Sequence, residues 1–289
     1  MTKPSVPSRP QPVVAPIVLE GLLSVEAALH AGNRDVEVVY VARDRSDRLS
    51  GAVRRLRGSA KAAGVSVVEV DRDVINDRAS GTSHGGVIAV AGPRRFAELD
   101  RLVEGCSPSF VVMLDGIEDP YNFGQAVRAI YAAGADGLVV RPRHWGAAEA
   151  VVARSSAGAS ERMPTALAQT PLDAATALRG HGLTIACATR RDAISIYRAD
   201  LTVPVFLLMG GERRGVTRSF LDQADLRLAI PSSGSDAPSL GSAAAAAVLA
   251  FEVMRQRGHG RSEPRPRRSG RSAPGLPGAG SRRRSPAPS

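Results

Sequence analysis

From residue 109 to residue 257, short apolar runs alternate with segments of helical periodicity, and this alternation limits the chain to few folds. The runs are 110–114, 137–140, 183–188, 205–209 and 226–230. Helices are predicted over 122–133, 147–158, 172–179 and 218–223, with a long last helix over 239–256. Strands alternating with helices predict a mostly parallel α/β sheet covered by helices on both faces. In such sheets ligands sit outside the carboxyl ends of the strands, so the strand-to-helix turns are where a site belongs.

A smaller α/β unit precedes this one. A short helix is predicted over 24–31 and a strand over 36–42, whose alternation is too smeared for an exposed edge. A basic amphipathic helix over 49–63 stops at Gly64, and strands follow at 65–70 and 86–91. The chain thus divides into a proline-rich arm (1–16), an N-terminal domain (17–92), a linker (93–108), a larger domain (109–257) and a basic tail (258–289). The formal net charge is +10, but the tail alone holds eight Arg against one Glu, and Lys3 and Arg9 lie in the arm. The body is close to neutral. A disordered tail of this composition either grips phosphates without sequence preference or serves only solubility, and composition does not choose between them.

Several classes of function fall away. The longest apolar runs, such as 203–209, are too short to span a bilayer, and no secretory signal is expected. Cys106 and Cys187 form no disulfide framework or metal spacing, and the five His are scattered without an HExxH, so no metal is expected. Neither a GxxxxGK[ST] loop nor a GxGxxG turn is present, which disfavours P-loop chemistry and an ordinary dinucleotide fold. With aromatics at 4%, stacking is not expected to be the main mode of ligand binding.

Three segments remain that could build a site. MLDGIEDPYNFGQAVR runs from a strand into an acidic turn and a helix carrying Asn122, Gly124 and Arg128. LLMGGERRGVT ends a buried strand at Gly210 and Gly211, where the missing Cβ would let a ligand approach the backbone, and Glu212 follows. IPSSGSDAPSLGSAAAAAVLAFEV is a small-residue loop, with Ile230 and Leu240, that enters an alanine-rich helix. Each has a plainer alternative. Asn122 is also a favoured helix cap, Arg128 an ordinary surface residue, and Glu212 to Arg214 a solvated turn.

In this order the segments resemble the SpoU (TrmH-type) family of RNA ribose 2′-O-methyltransferases, of the knotted SPOUT class. Its N-x-G-x-x-x-R motif is matched by Asn122, Gly124 and Arg128, and its G-x-E with a later Gly by Gly210, Glu212 and Gly215. SSAGASERMP (155–164) resembles a third family segment, and GLLSVEAALHAG and SHGGVIAV resemble its N-terminal RNA-binding domain. The chain departs from the family's S-L-N at Gly241, and from a His-Gln-Gly at His84, Gly85 and Gly86.

The resemblance implies a C-terminal trefoil knot, S-adenosyl-L-methionine as cofactor, a homodimer, and structured RNA as substrate, ribosomal RNA ahead of transfer RNA, in the cytoplasm. It implies cofactor contacts at Gly210, Ile230 and Leu240, with Thr189 a further candidate, and a catalytic group of Arg128, Asn122 and Glu212. A guanidinium is almost never neutral at pH 7, so Arg128 is expected to orient and stabilise the developing alkoxide rather than act as a free base. A catalytically silent RNA-binding protein and an α/β enzyme of small molecules are the alternatives.

Overall fold

The computed structural model describes residues 16–43, 50–142, 148–211, 213–233 and 239–258; the arm, the tail and Glu212 lie outside the described residues. The first unit comprises β1 (Ile17–Glu20), α1 (Leu22–Ala31), β2 (Val36–Ala42), α2 (Ser50–Ala62), β3 (Ser66–Val70), α3 (Arg72–Arg78) and β4 (Val87–Ala91). Its sheet runs β1-β4-β2-β3, with β2 parallel to β3 and β4 antiparallel to both of its neighbours. The central place of β2 accounts for its poor alternation, because both of its faces are covered. β1 and α3 escape the sequence reading for lack of signal. β1 has only four residues, and α3 buries only Ile75.

The second unit comprises β5 (Phe110–Asp115), α4 (Pro120–Ala132), β6 (Gly137–Val140), α5 (Ala148–Ser155), α6 (Ala159–Arg162), β7 (Thr165–Leu167), α7 (Pro171–Gly180), β8 (Thr184–Ala188), β9 (Ile194–Ser195), β10 (Val205–Gly210), α8 (Arg218–Leu221), β11 (Leu226–Ala229) and α9 (Ser242–Gln256). Its sheet is parallel throughout, in the order β7-β6-β5-β10-β8-β11-β9. Alternate residues of one strand feed different cores. Phe110, Val112 and Leu114 of β5 pack with Ile130 of α4 and Leu249 of α9, while Val111 and Met113 pack with Leu178 of α7 and Phe220 of α8. Arg257 fastens the end of α9 to the start of β5. Its guanidinium donates to the carbonyls of Pro108 (2.6 Å), Ser109 (3.1 Å), Leu201 (3.1 Å) and Val203 (2.7 Å).

One expected helix is interrupted. The stretch 147–158 ends as α5 at Ser155, because Ala157 (φ 52°) and Gly158 (φ 78°) are left-handed and cannot continue a right-handed helix. The turn seats on α1: a Cβ at Gly158 would meet Leu23 O at 2.5 Å and Ala27 Cβ at 2.6 Å.

Buried charge joins the two units around this turn. Arg34 and Glu161 are 3% and 2% exposed and form a two-pronged pair, Nε to Oε2 at 2.7 Å and Nη2 to Oε1 at 3.2 Å. Arg34 Nη1 also lies 2.9 Å from Glu149 Oε2. Desolvation works against the Arg34 charge, but Glu161 and Glu149 outweigh it and hold the guanidinium above its ordinary pKa. Asn33 Nδ2 donates to Glu161 O at 2.8 Å, and fully buried Glu20 of β1 pairs with Arg154 of α5. The linker segment is packed down as well. Arg94 donates to Ser160 O, Met163 O (2.8 Å) and Thr165 Oγ1 (3.0 Å), and a short 3-10 helix, Leu99–Leu102, buries Leu102.

Removing Glu161 strips buried Arg34 of its two-pronged partner and leaves it with Glu149 alone. Glu161→Ala therefore lowers the unfolding free energy by roughly 3–5 kcal/mol in a urea titration. Glu104→Ala, which breaks an exposed pair with Arg101, shifts it by less than about 1 kcal/mol.

Candidate active site

Two strand ends define the site. β5 and β10 pair in register with Asp115 opposite Gly210, so the chain leaves both strands at one level. Gly116 and Gly211 then lie backbone against backbone. A Cβ on Gly211 would overlap Gly116 O, and one on Gly116, whose φ is +81°, would sit 3.4 Å from Gly211 N. The second loop closes on itself through Gly215 N donating to Gly211 O at 2.9 Å. A Cβ at Gly210 would run into the backbone of Gly215 and lie 2.8 Å from Val216 N. The Cβ positions of Gly210 and Gly211 are thus taken by the protein's own main chain, while Gly211 still lines the cavity over the strand ends. These glycines serve loop closure and loop-to-loop contact.

The helix after β5 starts two residues earlier than its periodicity suggests. Asp119, not Asn122, is the N-cap: its Oδ1 accepts from Asn122 N at 2.7 Å, with Pro120 in the first turn. Asn122 sits in the first turn, half-buried, with its side chain left over from capping. Gly124 faces α5, where a Cβ would overlap Ser155 Oγ and meet Val152 O at 2.8 Å. The middle residue of the N-x-G-x-x-x-R motif is therefore a helix–helix contact. Arg128 lies one turn beyond Gly124, exposed, on a strip with Tyr121 and Tyr131, and makes no hydrogen bond or ion pair with a described residue. Six residues at 100° each set Asn122 and Arg128 about 120° apart around the helix. The two share an element but do not touch.

The expected cofactor residues form a second row. β10, β8 and β11 are successive neighbours, so Gly210, Thr189 and Ile230 stand side by side at their carboxyl ends, all partly exposed. Thr189 N donates to Leu228 O at 2.9 Å, and its Oγ1 accepts from Arg191 N at 3.2 Å. Leu240, 50% exposed, precedes α9. Cys187, buried in β8, is no nucleophile here, because burial pushes its thiol up to about 11.

A cavity of about 790 Å³ opens over the carboxyl ends of β5, β6 and β10. Gly116, Ile117, Phe123, Arg141, Thr170, Gly211, Arg213 and Arg214 are among its lining residues. It lies where the strand order reverses, since β6 and β7 extend one way from β5 and the later strands the other. Its size fits a ligand site. Arg213 crosses to Glu118 of the first loop (3.5 Å), and Arg141 to Asp115 (3.5 Å). Asn122, Arg128, Thr189, Ile230 and Leu240 do not line it. Sequence reading took Gly116 only as a turn residue and Arg213 only within a solvated turn, and passed over Arg141. The signal available was positional: each follows the end of a predicted strand.

Gly241, where the family has Asn, is the N-cap of α9 with φ −61° and ψ 155°, a conformation open to any residue. Asn and Gly are both tolerated caps, and Asn adds a side-chain acceptor for the free N–H groups of the first turn. Gly241→Asn accordingly folds unchanged and raises the unfolding free energy by a few tenths of a kcal/mol in a urea titration.

Comparison with known proteins places this geometry. A family model described as the SpoU rRNA Methylase family matches residues 109–251, and one described as RNA 2′-O ribose methyltransferase substrate binding matches residues 18–97. The 23S rRNA (guanosine-2′-O-)-methyltransferase RlmB of Shewanella oneidensis is 33% identical over 248 residues, covering 83% of this chain and 97% of that protein. An uncharacterized tRNA/rRNA methyltransferase of Mycobacterium avium is 34% identical over 229 residues, 76% of this chain and 71% of that one. Among solved structures, the AdoMet-bound rRNA methyltransferase from Sinorhizobium meliloti superposes with a TM-score of 0.69 at 25% identity, covering 83% of this chain and 87% of that one. The SpoU methyltransferase AviRb from Streptomyces viridochromogenes, in complex with AdoMet, gives 0.67 at 25% identity over 84% and 91%. With relatives matched along nearly their whole length and both units matched in order, the chain belongs to the SpoU family of RNA 2′-O-ribose methyltransferases.

Proposed function

We propose that this protein transfers a methyl group from S-adenosyl-L-methionine to a ribose 2′-hydroxyl of 23S ribosomal RNA. The observation that carries this reading is the meeting of the two motif loops at Gly116 and Gly211, beside a cavity of suitable size. The relatives named as 23S rRNA methyltransferases support the substrate, and the solved relatives with bound AdoMet support the cofactor.

The row formed by Gly210, Thr189 and Ile230 fits an adenosyl group held by main-chain groups, with no charged side chain in the row to oppose it. Leu240 supplies an apolar contact from the start of α9. When bound, S-adenosylmethionine supplies an electrophilic methyl. Arg141, Arg213 and Arg214 offer positive charge at the cavity for the RNA backbone. Arg128 stays protonated, orients the substrate and stabilises the oxygen as its proton passes to a phosphate of the RNA. Asn122 and Glu212 complete the group. Holding hydroxyl and methyl in line supplies much of the rate.

The same proposal includes the domain division at 17–92 and 109–257, with structured RNA on the first unit and transfer RNA the second substrate choice. It includes a cytoplasmic homodimer, for which the exposed Phe251 of α9 offers an apolar contact. It also includes a C-terminal trefoil knot. The insertion of β10 and β11 between strands that precede them in the chain supports that path.

Arg128→Ala lowers methyl incorporation into ribosomal RNA by about 100-fold or more and leaves S-adenosylmethionine affinity, by calorimetry, unchanged. An active Arg128→Ala variant contradicts the assigned role. Absence of cofactor binding to the unaltered protein at millimolar ligand favours a silent RNA-binding protein.

A further inference from the structure

We propose that a slot between the linker and the edge of the large sheet receives one unpaired nucleobase of the RNA, stacked against Phe96. This rests on the methyltransferase reading above. The slot has a volume of about 250 Å³ and shares Phe123, Val140, Arg141 and Pro142 with the cavity at the motif loops, so the two adjoin. It is below the roughly 300–1,000 Å³ of sites for drug-sized ligands, and suits one flat ring system.

Its walls are apolar and open to solvent. Phe96 is 43% exposed and Leu167 of β7 39% exposed, an uncommon outlay of large apolar surface beside a cleft. Arg94 lies over the Phe96 ring, 6.0 Å from its centroid, and its own three bonds to 160–165 fix it, so the ring is held from one side. The floor is polar and short of hydrogen bonds. Arg94 Nε and Glu149 Oε2 are buried without a hydrogen-bond partner, although Glu149 Oε2 lies near Arg34 as an ion pair. A nucleobase presents an apolar face for the ring and in-plane donors and acceptors for such a floor.

The chemistry demands such a place. When the target nucleotide leaves the stack, at a cost of a few kcal/mol, a stacking pocket offsets that cost and fixes its ribose. The scarcity of aromatics argued against stacking as the general mode of binding. One ring, placed beside the site, is enough for one base.

The test is steady-state methyl transfer to ribosomal RNA by the full chain and by Phe96→Ala, Phe96→Tyr and Leu167→Trp, with S-adenosylmethionine affinity measured alongside. Loss of one base–aromatic stack predicts about a tenfold or larger fall in kcat/KM for Phe96→Ala. Leu167→Trp, which fills the slot, falls likewise, and Phe96→Tyr stays within about twofold, all with cofactor affinity unchanged. In an RNA fragment whose target nucleotide keeps its ribose but lacks its base, the gap between the unaltered protein and Phe96→Ala closes. Unchanged kcat/KM in Phe96→Ala, or a gap that persists on the baseless RNA, overturns the slot and leaves the methyltransferase reading standing. An unaltered protein that methylates no RNA overturns both.

Discussion

The parallel pairing of β5 with β10 fixes where chemistry is possible in this molecule. It pairs residues 95 positions apart in the chain and brings the strand ends level at Asp115 and Gly210. Two glycines without side chains then let the following loops touch through their backbones. Either loop alone is an ordinary strand-to-helix turn. Together they close one side of a cavity at the point where the strand order reverses, with arginines from two loops around it. The strands themselves are buried on both faces, so this register has little freedom to slip.

A second constraint acts between the units. Arg34, Glu149, Glu161 and Arg94 bring two positive and two negative groups into a junction largely shut off from water. Isolated charges there would be very costly, and only their mutual pairing makes the burial tolerable. Glu20 with Arg154 repeats the device on α5. The element that receives these contacts, α5, also packs through Ser155 onto Gly124 of the Arg128 helix. The first unit is thus seated on the same element that supports the motif helix.

Much of this was legible in the residues. Strand–helix alternation after residue 109 predicted the parallel sheet, and all five predicted strands of that unit are present. The motifs were legible as a set, while their geometry was not. Asn122 reads as a cap in isolation, yet Asp119 takes that place because proline follows it and fixes the first turn. Gly210 and Gly211 read as room for a ligand, yet their Cβ positions are taken by Gly215 and Gly116, contacts set by tertiary pairing that no local pattern encodes. Gly241 reads as a lost amide, and the structure shows a helix cap at which glycine is acceptable. The buried charge cluster was illegible because Arg34 lies more than a hundred residues from its partners Glu149 and Glu161, and each resembles a surface residue. The Asn122–Arg128 spacing, informative as a motif, corresponds to two faces of one helix rather than a contact.

The central claim is methyl transfer to a ribose hydroxyl of ribosomal RNA at the joined motif loops. It is tested most directly by mapping 2′-O-methylated nucleotides in the ribosomal RNA of cells with and without this gene. The account predicts one 23S nucleotide whose mark is lost with the gene and restored by the unaltered protein but not by Arg128→Ala. An identical methylation map in the two strains, or restoration by Arg128→Ala, would contradict it.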